Sequence, residues 1–130
     1  MAAVVNIRKK NLNKCGYKDF KEWNSVVDHV YIGRDLSYYV EGAKGSKWAN
    51  PYSLERYTRE ESLALYKDYV LHSKKKWKNG KTLKQSLNEL HGKTLGCWCA
   101  PERCHGDVLV SLLDTTQQKM DKYIIRDNFV

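Results

Sequence analysis

The chain has 130 residues, of which 42% are hydrophobic and 29% charged, a balance typical of one soluble folded domain. No apolar run approaches the ~20 residues of a membrane span, and the N-terminus lacks the charge order of a secretory signal. Composition therefore excludes a membrane protein, a secreted disulfide-rich domain and a coiled coil, and it predicts a cytoplasmic protein. The 23 basic against 15 acidic side chains leave a net charge of +8, which favours polyanionic partners.

The first half of the chain predicts two strands, one helix and a long loop. Residues 3–8 (AVVNIR) and 29–33 (HVYIG) are typical of short strands, and residues 17–27 carry apolar side chains at helical spacing. Residues 34–57 then hold glycines and a proline without any periodicity. Loops of that length in small domains usually serve binding, so this one is expected to do so.

The second half predicts three helices and a third strand. Thr58 and Thr82 are each followed three residues later by Glu61 or Gln85, which is the spacing of a capping box. Residues 93–99 (KTLGCWC) form the expected third strand. The apolar stripes of the helices are Leu63, Tyr66 and Val70, then Leu83, Leu87 and Leu90, and finally Val108, Leu109, Leu112 and Leu113. We expect one α/β domain over residues 1–113, with residues 114–130 as a helix extension or tail.

Strands that alternate with helices predict an α/β fold, here a small three-layer Rossmann-like fold with a mainly parallel sheet and helices on both faces. Ligands of such folds bind outside the carboxyl ends of the strands. Arg34, the loop at residues 45–51 and the segment 96–107 all follow or lie near these ends. A ligand pocket is therefore expected at this edge of the sheet.

The segment GCWCAPERCHGD, residues 96–107, is the densest group of reactive side chains. A thiol beside a helix start and an imidazole is expected to have a lowered pKa, which makes Cys104 a candidate nucleophile. His105 is a candidate general acid or base, and Asp107 completes the catalytic set or caps the helix. The helix amides, with Gly106 permitting close approach, are a candidate anion site, and Cys97 and Cys99 would line the ligand pocket.

Two other interpretations of this segment stay open. Four side chains are zinc-type donors, although their spacing is closer than that of ordinary zinc fingers. Alternatively, the thiols are core packing and the turn has no further role. The four donors are Cys97, Cys99, Cys104 and His105, whereas the isolated Cys15 is interpreted as a small buried hydrophobe.

The loop GSKWANP, residues 45–51, carries a second set of candidate ligand contacts. With Arg34, Lys47 is expected to bind an anion, Trp48 to stack on a ring, and Asn50 to orient the ligand. The competing interpretation is an ordinary turn with a buried tryptophan and an asparagine before proline.

A lysine-rich run provides a weaker candidate surface for nucleic acid. Its basic charges would bind phosphates and its indole would stack on a base. The competing interpretation is a solvated connection between two helices. The residues are Lys74, Lys75, Lys76, Trp77 and Lys78.

Three separated motifs resemble the family called domain of unknown function 4326. They are VYIGR at 30–34, KWANP at 47–51 and GCWC-x4-CHGDVL at 96–109, and the resemblance covers roughly residues 3–113. It implies an α/β domain whose motif residues form one site, and it brings no established reaction. The family has phage and large-virus members, so the resemblance leaves open a viral or phage source and an infected host cell as the compartment.

Two functions follow from these observations. The first is binding of a nucleotide-like or phosphate-bearing small molecule, with hydrolase or transferase chemistry on a base, glycosidic bond or phosphate. The second is a non-enzymatic basic module that binds nucleic acid or a protein, with or without zinc.

Overall fold

The computed structural model describes residues 2–99 and 102–114 of the chain. Its sheet has three parallel strands, β1 (Ala3–Asn6), β2 (His29–Tyr31) and β3 (Thr94–Cys97), with β3 in the middle. Because all three run in the same direction, their carboxyl ends lie at one edge. The expected α/β class and parallel sheet are confirmed.

Five α-helical segments of the described chain surround the sheet. A short 3-10 helix, Leu87–Leu90, follows directly after the fourth of them. The segments are α1 (Lys9–Lys14), α2 (Phe20–Asn24), α3 (Arg59–His72), α4 (Leu83–Ser86) and α5 (residues 105–114). No helix among the residues that the structure describes is long and apolar enough to cross a membrane.

Successive residues of β3 face opposite sides of the sheet, and a separate apolar cluster packs against each side. Leu95 and Cys97 pack with side chains of α3, α4 and α5. A Cβ at Gly96, in contrast, would collide with the Trp23 ring of α2, which belongs to the second cluster with Ile7 and Leu12. The sheet is therefore covered by apolar side chains on both faces.

The strand order explains why both faces are covered. From β1 the chain moves two places across the sheet to β2, and from β2 it moves one place back to β3. Right-handed connections that run in opposite directions lie on opposite faces of a sheet. The α1–α2 connection and the α3–α4 connection accordingly contribute to different apolar clusters.

Both capping boxes are confirmed, because the Thr58 and Thr82 hydroxyls accept hydrogen bonds from the backbone N–H of Glu61 and Gln85. In return, the backbone N–H of each threonine donates to the side chain of Glu61 or Gln85. The buried stripe of α3 includes Ser62, whereas Leu63 is only partly buried.

Three differences from the sequence-based expectation lie in the first half of the chain. Helix α1 was not expected, because its sequence KKNLNK has Leu12 as its one apolar residue. Helix α2 covers only the centre of residues 17–27, and Cys15 is exposed, so its interpretation as a buried hydrophobe was wrong. The expected tail lies, from residue 115 onward, outside the described residues, and the domain boundary at 113 stays a prediction.

Candidate functional site

A cleft of about 630 Å³ opens beside the carboxyl ends of β2 and β3. We call it the main cleft. One wall comes from the chain after β2, another from the first turns of α3, and the floor from the segment between β3 and α5. The lining residues are Arg34, Leu36, residues 50–55, Arg59, Ser62, Leu63, Trp98, Cys99, Cys104 and His105.

His105 is held at the base of the main cleft by two contacts. Its Nε2 lies 2.7 Å from the carbonyl oxygen of Ile32, and its ring meets Tyr66 edge-on with centroids 5.1 Å apart. A carbonyl only accepts hydrogen bonds, so Nε2 carries the proton and Nδ1 holds a lone pair in the neutral ring.

Burial lowers the pKa of His105, against the opposing effects of the Ile32 carbonyl and the Asp107 carboxylate. The imidazole is consequently neutral at pH 7. A neutral imidazole with one fixed N–H is equipped to accept a proton at Nδ1.

Cys104 does not have the lowered pKa that its sequence context suggested. Its Sγ lies 3.2 Å from the Sγ of Cys97, and both residues are buried. The Cys97 thiol, and after it burial, raise the Cys104 pKa, while backbone groups of Gly106 and Asp107 partly oppose the shift. The thiol is therefore protonated, which removes the thiolate that a nucleophile requires.

At the start of α5, a backbone N–H that could bind an anion is already bonded to a side chain of the same turn. The Asp107 carboxylate accepts a hydrogen bond from the Cys104 N–H at 3.0 Å, as a helix cap does. Gly106 permits close approach of the sheet, since a Cβ there would lie 2.9 Å from Ile32 and 3.0 Å from Val4. Asp107 itself is exposed and does not line the main cleft. The predicted anion site at this turn gains no support.

A metal site likewise gains no support from the geometry. Among residues 2–99 and 102–114, no three His, Cys, Asp or Glu side chains are placed to share a metal ion. The Nε2 atom of His105 is also committed to a carbonyl. The proposed donors were Cys97, Cys99, Cys104 and His105.

Arg34 enters the main cleft at the end of β2, as expected. It is exposed, and no carboxylate of the described residues forms an ion pair with it. Its backbone is fixed by a relay in which Trp98 Nε1 donates to the Tyr31 hydroxyl at 2.9 Å, and that hydroxyl donates to the Arg34 carbonyl at 2.6 Å. Burial raises the Tyr31 pKa, so the hydroxyl keeps its proton.

The loop at residues 45–51 is divided between the core and the cleft. Trp48 is 2% exposed and lies in the core, where its carbonyl accepts from the Tyr66 hydroxyl, so its indole is not placed to stack on a ligand. Lys47 lies outside the main cleft in an ion pair with Glu89 at 2.9 Å.

Asn50 does line the main cleft, but its amide is engaged within the protein. Its Nδ2 donates to Ser62 at 2.9 Å and its Oδ1 accepts from the Tyr52 N–H at 2.9 Å. This residue therefore shapes the wall by joining the loop to α3. Of the predicted ligand contacts, Arg34, Asn50, Cys99, Cys104 and His105 meet in the cleft, whereas Lys47, Trp48, Cys97 and Asp107 do not line it.

The chain matches, over residues 16–115, the family described as domain of unknown function, DUF4326. It belongs to that family. The match includes every residue that lines the main cleft, whereas strand β1 precedes it. The resemblance found in the three motifs is thereby confirmed.

Two uncharacterized viral proteins are similar to this chain. An uncharacterized 12.4 kDa protein of Enterobacteria phage T4 is 32% identical over 72 residues, which are 55% of this chain and 63% of that protein. An uncharacterized protein of Acanthamoeba polyphaga mimivirus is 32% identical over an alignment 100 residues long, which covers 68% of this chain and 71% of that protein. The chain thus spans less than two thirds of the phage relative. No solved structure matches.

The DUF4326 cleft also contains residues that the sequence did not identify. Arg59 begins α3 and binds Glu102 at 2.9 Å together with the Arg103 carbonyl. Tyr52 and Glu55 line the loop wall, and Trp98 closes the end of β3. The alternation of β3 identifies Trp98 in retrospect, because Cys97 points into the core and its neighbour must face the other way. The other three have no comparable signal.

The lysine-rich run of this DUF4326 protein lies away from the main cleft. Lys74, Lys75, Lys76 and Lys78 are exposed. Trp77 is half-buried against the core, its ring is covered by Lys75 at 4.0 Å, and its buried Nε1 has no acceptor among the described residues. The lysines are available to a polyanion, whereas the indole is not placed to stack on a base.

Proposed function

We propose that this protein binds a nucleotide-like, phosphate-bearing small molecule in the main cleft and acts on it as a hydrolase or transferase. The observation that carries the proposal is one cleft, at the carboxyl edge of a parallel sheet, that holds a neutral His105 and an Arg34 with no ion-pair partner among the described residues. A volume of about 630 Å³ also suits small-molecule ligands, whose sites span ~300–1,000 Å³.

Arg34 is the phosphate-binding group of the proposal. A guanidinium binds phosphate oxygens through two parallel N–H groups, and this one has no competing carboxylate among the described residues. Arg59 lines the same cleft, but Glu102 and the Arg103 carbonyl already bind it. Its first role is to hold the turn before α5 against α3.

Tyr52 and Trp98 provide the aromatic surfaces on which a base would stack. The Tyr52 ring is fixed edge-on between Tyr57 and Tyr69, at centroid distances of 5.8 and 6.2 Å. Trp98 is fixed by its hydrogen bond to Tyr31. Stacking of a base on an ordered aromatic ring contributes ~1–3 kcal/mol.

His105 is the proposed general base. Its Nδ1 would take the proton of an attacking water or acceptor hydroxyl, while Nε2 keeps its proton on the Ile32 carbonyl. The protonated Nδ1 then returns this proton to the leaving group as its bond breaks, so that the proton balance closes on His105. Because the Cys104 thiol is protonated, the proposal places no covalent intermediate on it.

We further propose a three-layer Rossmann-like fold and a cytoplasmic location for this protein. Apolar clusters on both faces and connections in opposite directions support a small Rossmann-like three-layer arrangement. We also propose a reducing, cytoplasmic compartment, because the close spacing of Cys97, Cys99 and Cys104 in the chain is not that of a disulfide framework.

AMP and adenosine are suitable probes for the main cleft, by calorimetry and thermal shift. AMP should bind more tightly than adenosine, and Arg34→Gln should weaken AMP binding about tenfold or more, the effect of a lost charge-assisted hydrogen-bond pair. Arg56→Gln is the matched control, because Arg56 is exposed on the same loop and does not line the cleft. Equal effects of both variants, or no binding of AMP, ADP, UDP or their sugar conjugates at millimolar concentration, would reject the proposal.

Turnover is tested separately with His105→Gln, whose side-chain amide can still donate to the Ile32 carbonyl. This variant should keep nucleotide binding and lose product formation, followed by chromatography of the incubated nucleotide. Unchanged turnover would remove the role of general base from His105.

A second candidate function is supported by the exposed lysines at positions 74, 75, 76 and 78. These charges would bind nucleic acid through its phosphates without reading its bases. Replacing all four by glutamine should then flatten the salt dependence of binding to a single-stranded oligonucleotide, whereas Arg34→Gln should leave it unchanged.

A further inference from the structure

A second, smaller cavity of about 240 Å³ also has Trp98 in its lining. We call it the side pocket. It is built between the start of α1, the start of α2 and the loop that follows β2, and its polar lining residues are Lys9, Asp19, Tyr39 and Glu41. Neither the main cleft nor the proposed function uses these residues.

Trp98 is the residue that the two cavities share, since it lines both. The hydrogen bond to Tyr31 fixes the ring, and Phe20 packs beside it with centroids 6.1 Å apart. Trp98 is only partly buried. A ligand that crosses its accessible edge would therefore reach from the main cleft into the side pocket.

The groups in the side pocket are those that bind a sugar. Two carboxylates, Asp19 and Glu41, can accept hydrogen bonds from hydroxyl groups, and the rings of Tyr39 and Trp98 offer apolar surfaces for the C–H face of a sugar. Asp19 uses one oxygen to cap α2, and Glu41 is paired with the exposed Lys21. Each carboxylate has further lone pairs.

The main cleft and the side pocket differ in volume, and this difference indicates which part of a ligand each of them could hold. The side pocket is below the usual ~300 Å³ of a site for a whole small molecule, so it suits a single sugar ring. The larger main cleft, lined by the Arg34 guanidinium, suits a nucleoside and its phosphates. The pyrophosphate would then lie near Arg34 and Trp98, between the two parts.

We infer that the ligand is a nucleoside diphosphate sugar, whose terminal sugar occupies the side pocket while its nucleoside diphosphate part occupies the main cleft. This inference rests on the proposed function, because it requires nucleotide binding in the main cleft. It adds the chemical class of the ligand and a second binding site.

Calorimetry with two matched pairs of probes tests the inference, ADP against ADP-ribose and UDP against UDP-glucose. In at least one pair the sugar-bearing probe should bind about tenfold more tightly, the effect of one or two added hydrogen bonds. Tyr39→Ala should remove that difference and leave the binding of ADP or UDP unchanged. Because Tyr39 is 81% exposed, the variant should fold.

Tyr38→Ala is the matched control. Tyr38 is 92% exposed and contacts the Tyr39 ring edge-on at 5.0 Å, but it does not line the side pocket. This variant should therefore retain the preference for the sugar-bearing probe. Glu41→Gln is a second test, since it is also on the surface and should reduce the preference by weakening a hydroxyl contact.

The outcomes separate the two proposals. If ADP and UDP bind in an Arg34-dependent way but their sugar conjugates bind no more tightly, the inference is wrong and the proposed function stands. A preference that survives both Tyr39→Ala and Glu41→Gln places the sugar elsewhere and also overturns it. If none of the four probes binds, the proposed function is wrong and the inference with it.

Discussion

The segment after β3 and the loop at residues 45–51 were both expected to contact a ligand, and the structure treats them differently. The first places Trp98, Cys99, Cys104 and His105 around the main cleft. The second buries Trp48, pairs Lys47 with a carboxylate outside the cleft, and leaves only Asn50 and Pro51 on its wall.

Strand geometry accounts for the difference. The register of β3 with β1 and β2 fixes where the chain leaves the sheet, so residues just beyond Cys97 must lie at the carboxyl edge. Nothing comparable constrains a loop, and there the burial of a large aromatic side chain dominates its placement. In this protein, closeness in sequence to the end of a strand therefore predicts which residues line the main cleft better than residue type does.

Removal of the Trp48 side chain should have the largest effect on this comparison. Trp48→Ala is expected to reduce the free energy of unfolding by about 3–5 kcal/mol, because it leaves a cavity in the core. Urea unfolding followed by circular dichroism measures the change, with Tyr38→Ala as the exposed control. A loss below ~1 kcal/mol together with weaker AMP binding would instead place the indole against a ligand.

Gly96→Ala should reduce the free energy of unfolding by about 1–3 kcal/mol, because the added methyl group overpacks a filled core beside the β3 segment. The added Cβ would meet the rings of Trp23 and the Cγ2 of Ile7, both buried. Gly106→Ala is the comparison variant, expected to cost less because its Cβ would meet the flexible ends of Ile32 and Val4. A larger loss for Gly106→Ala than for Gly96→Ala in urea unfolding would contradict this ranking.

The thiols of the β3 segment should react slowly with iodoacetamide at pH 7.5. Cys15 is exposed, whereas Cys97 and Cys104 are buried and the Cys104 pKa is raised. Cys97 and Cys104 should therefore be alkylated at least about tenfold more slowly than Cys15. Peptide mass spectrometry over time measures each rate, and a denatured sample should show similar rates for all. Alkylation of Cys104 as fast as that of Cys15 would restore it as a reactive nucleophile.

The smallest effect concerns the pH dependence of stability. The pKa of His105 is lower in the folded state than the ordinary value of 6.5, so the unfolded chain binds more protons below that pH. Stability should therefore fall as the pH drops from about 7 to 5, by at most ~1.4 kcal/mol per pH unit for this group. His105→Gln should show a shallower fall in urea unfolding, and a slope equal to that of the original protein would assign the dependence elsewhere.

Much of the secondary structure was accessible from local signals. The two capping boxes place the starts of α3 and α4, and β-branched runs place the strands to within a few residues. Helix α1 was missed because one apolar residue gives no periodicity, and Cys15 was misplaced because a cysteine carries no signal of its own exposure.

The candidate site was accessible only in part. Arg34 and His105 were identified because each follows a predicted strand or turn at the expected edge of the sheet. The sequence did not identify three other lining residues, because they belong to a loop and a helix rather than to a strand end. They are Tyr52 and Glu55 of the loop after β2, and Arg59 of α3. The lowered pKa expected for Cys104 was wrong, since its nearest titrating neighbour is Cys97, seven positions earlier in the chain.

The order of strands and helices, the helix starts and the family are properties that the amino-acid order alone determines, because they depend on neighbours within a few residues or on motif spacing. The central place of β3, the burial of Trp48, the Cys97–Cys104 contact and the place of Trp98 in the lining of both cavities were decided by tertiary structure. These features arise from packing between segments distant in the chain, where burial and charge environment, rather than residue type, set what each side chain can do.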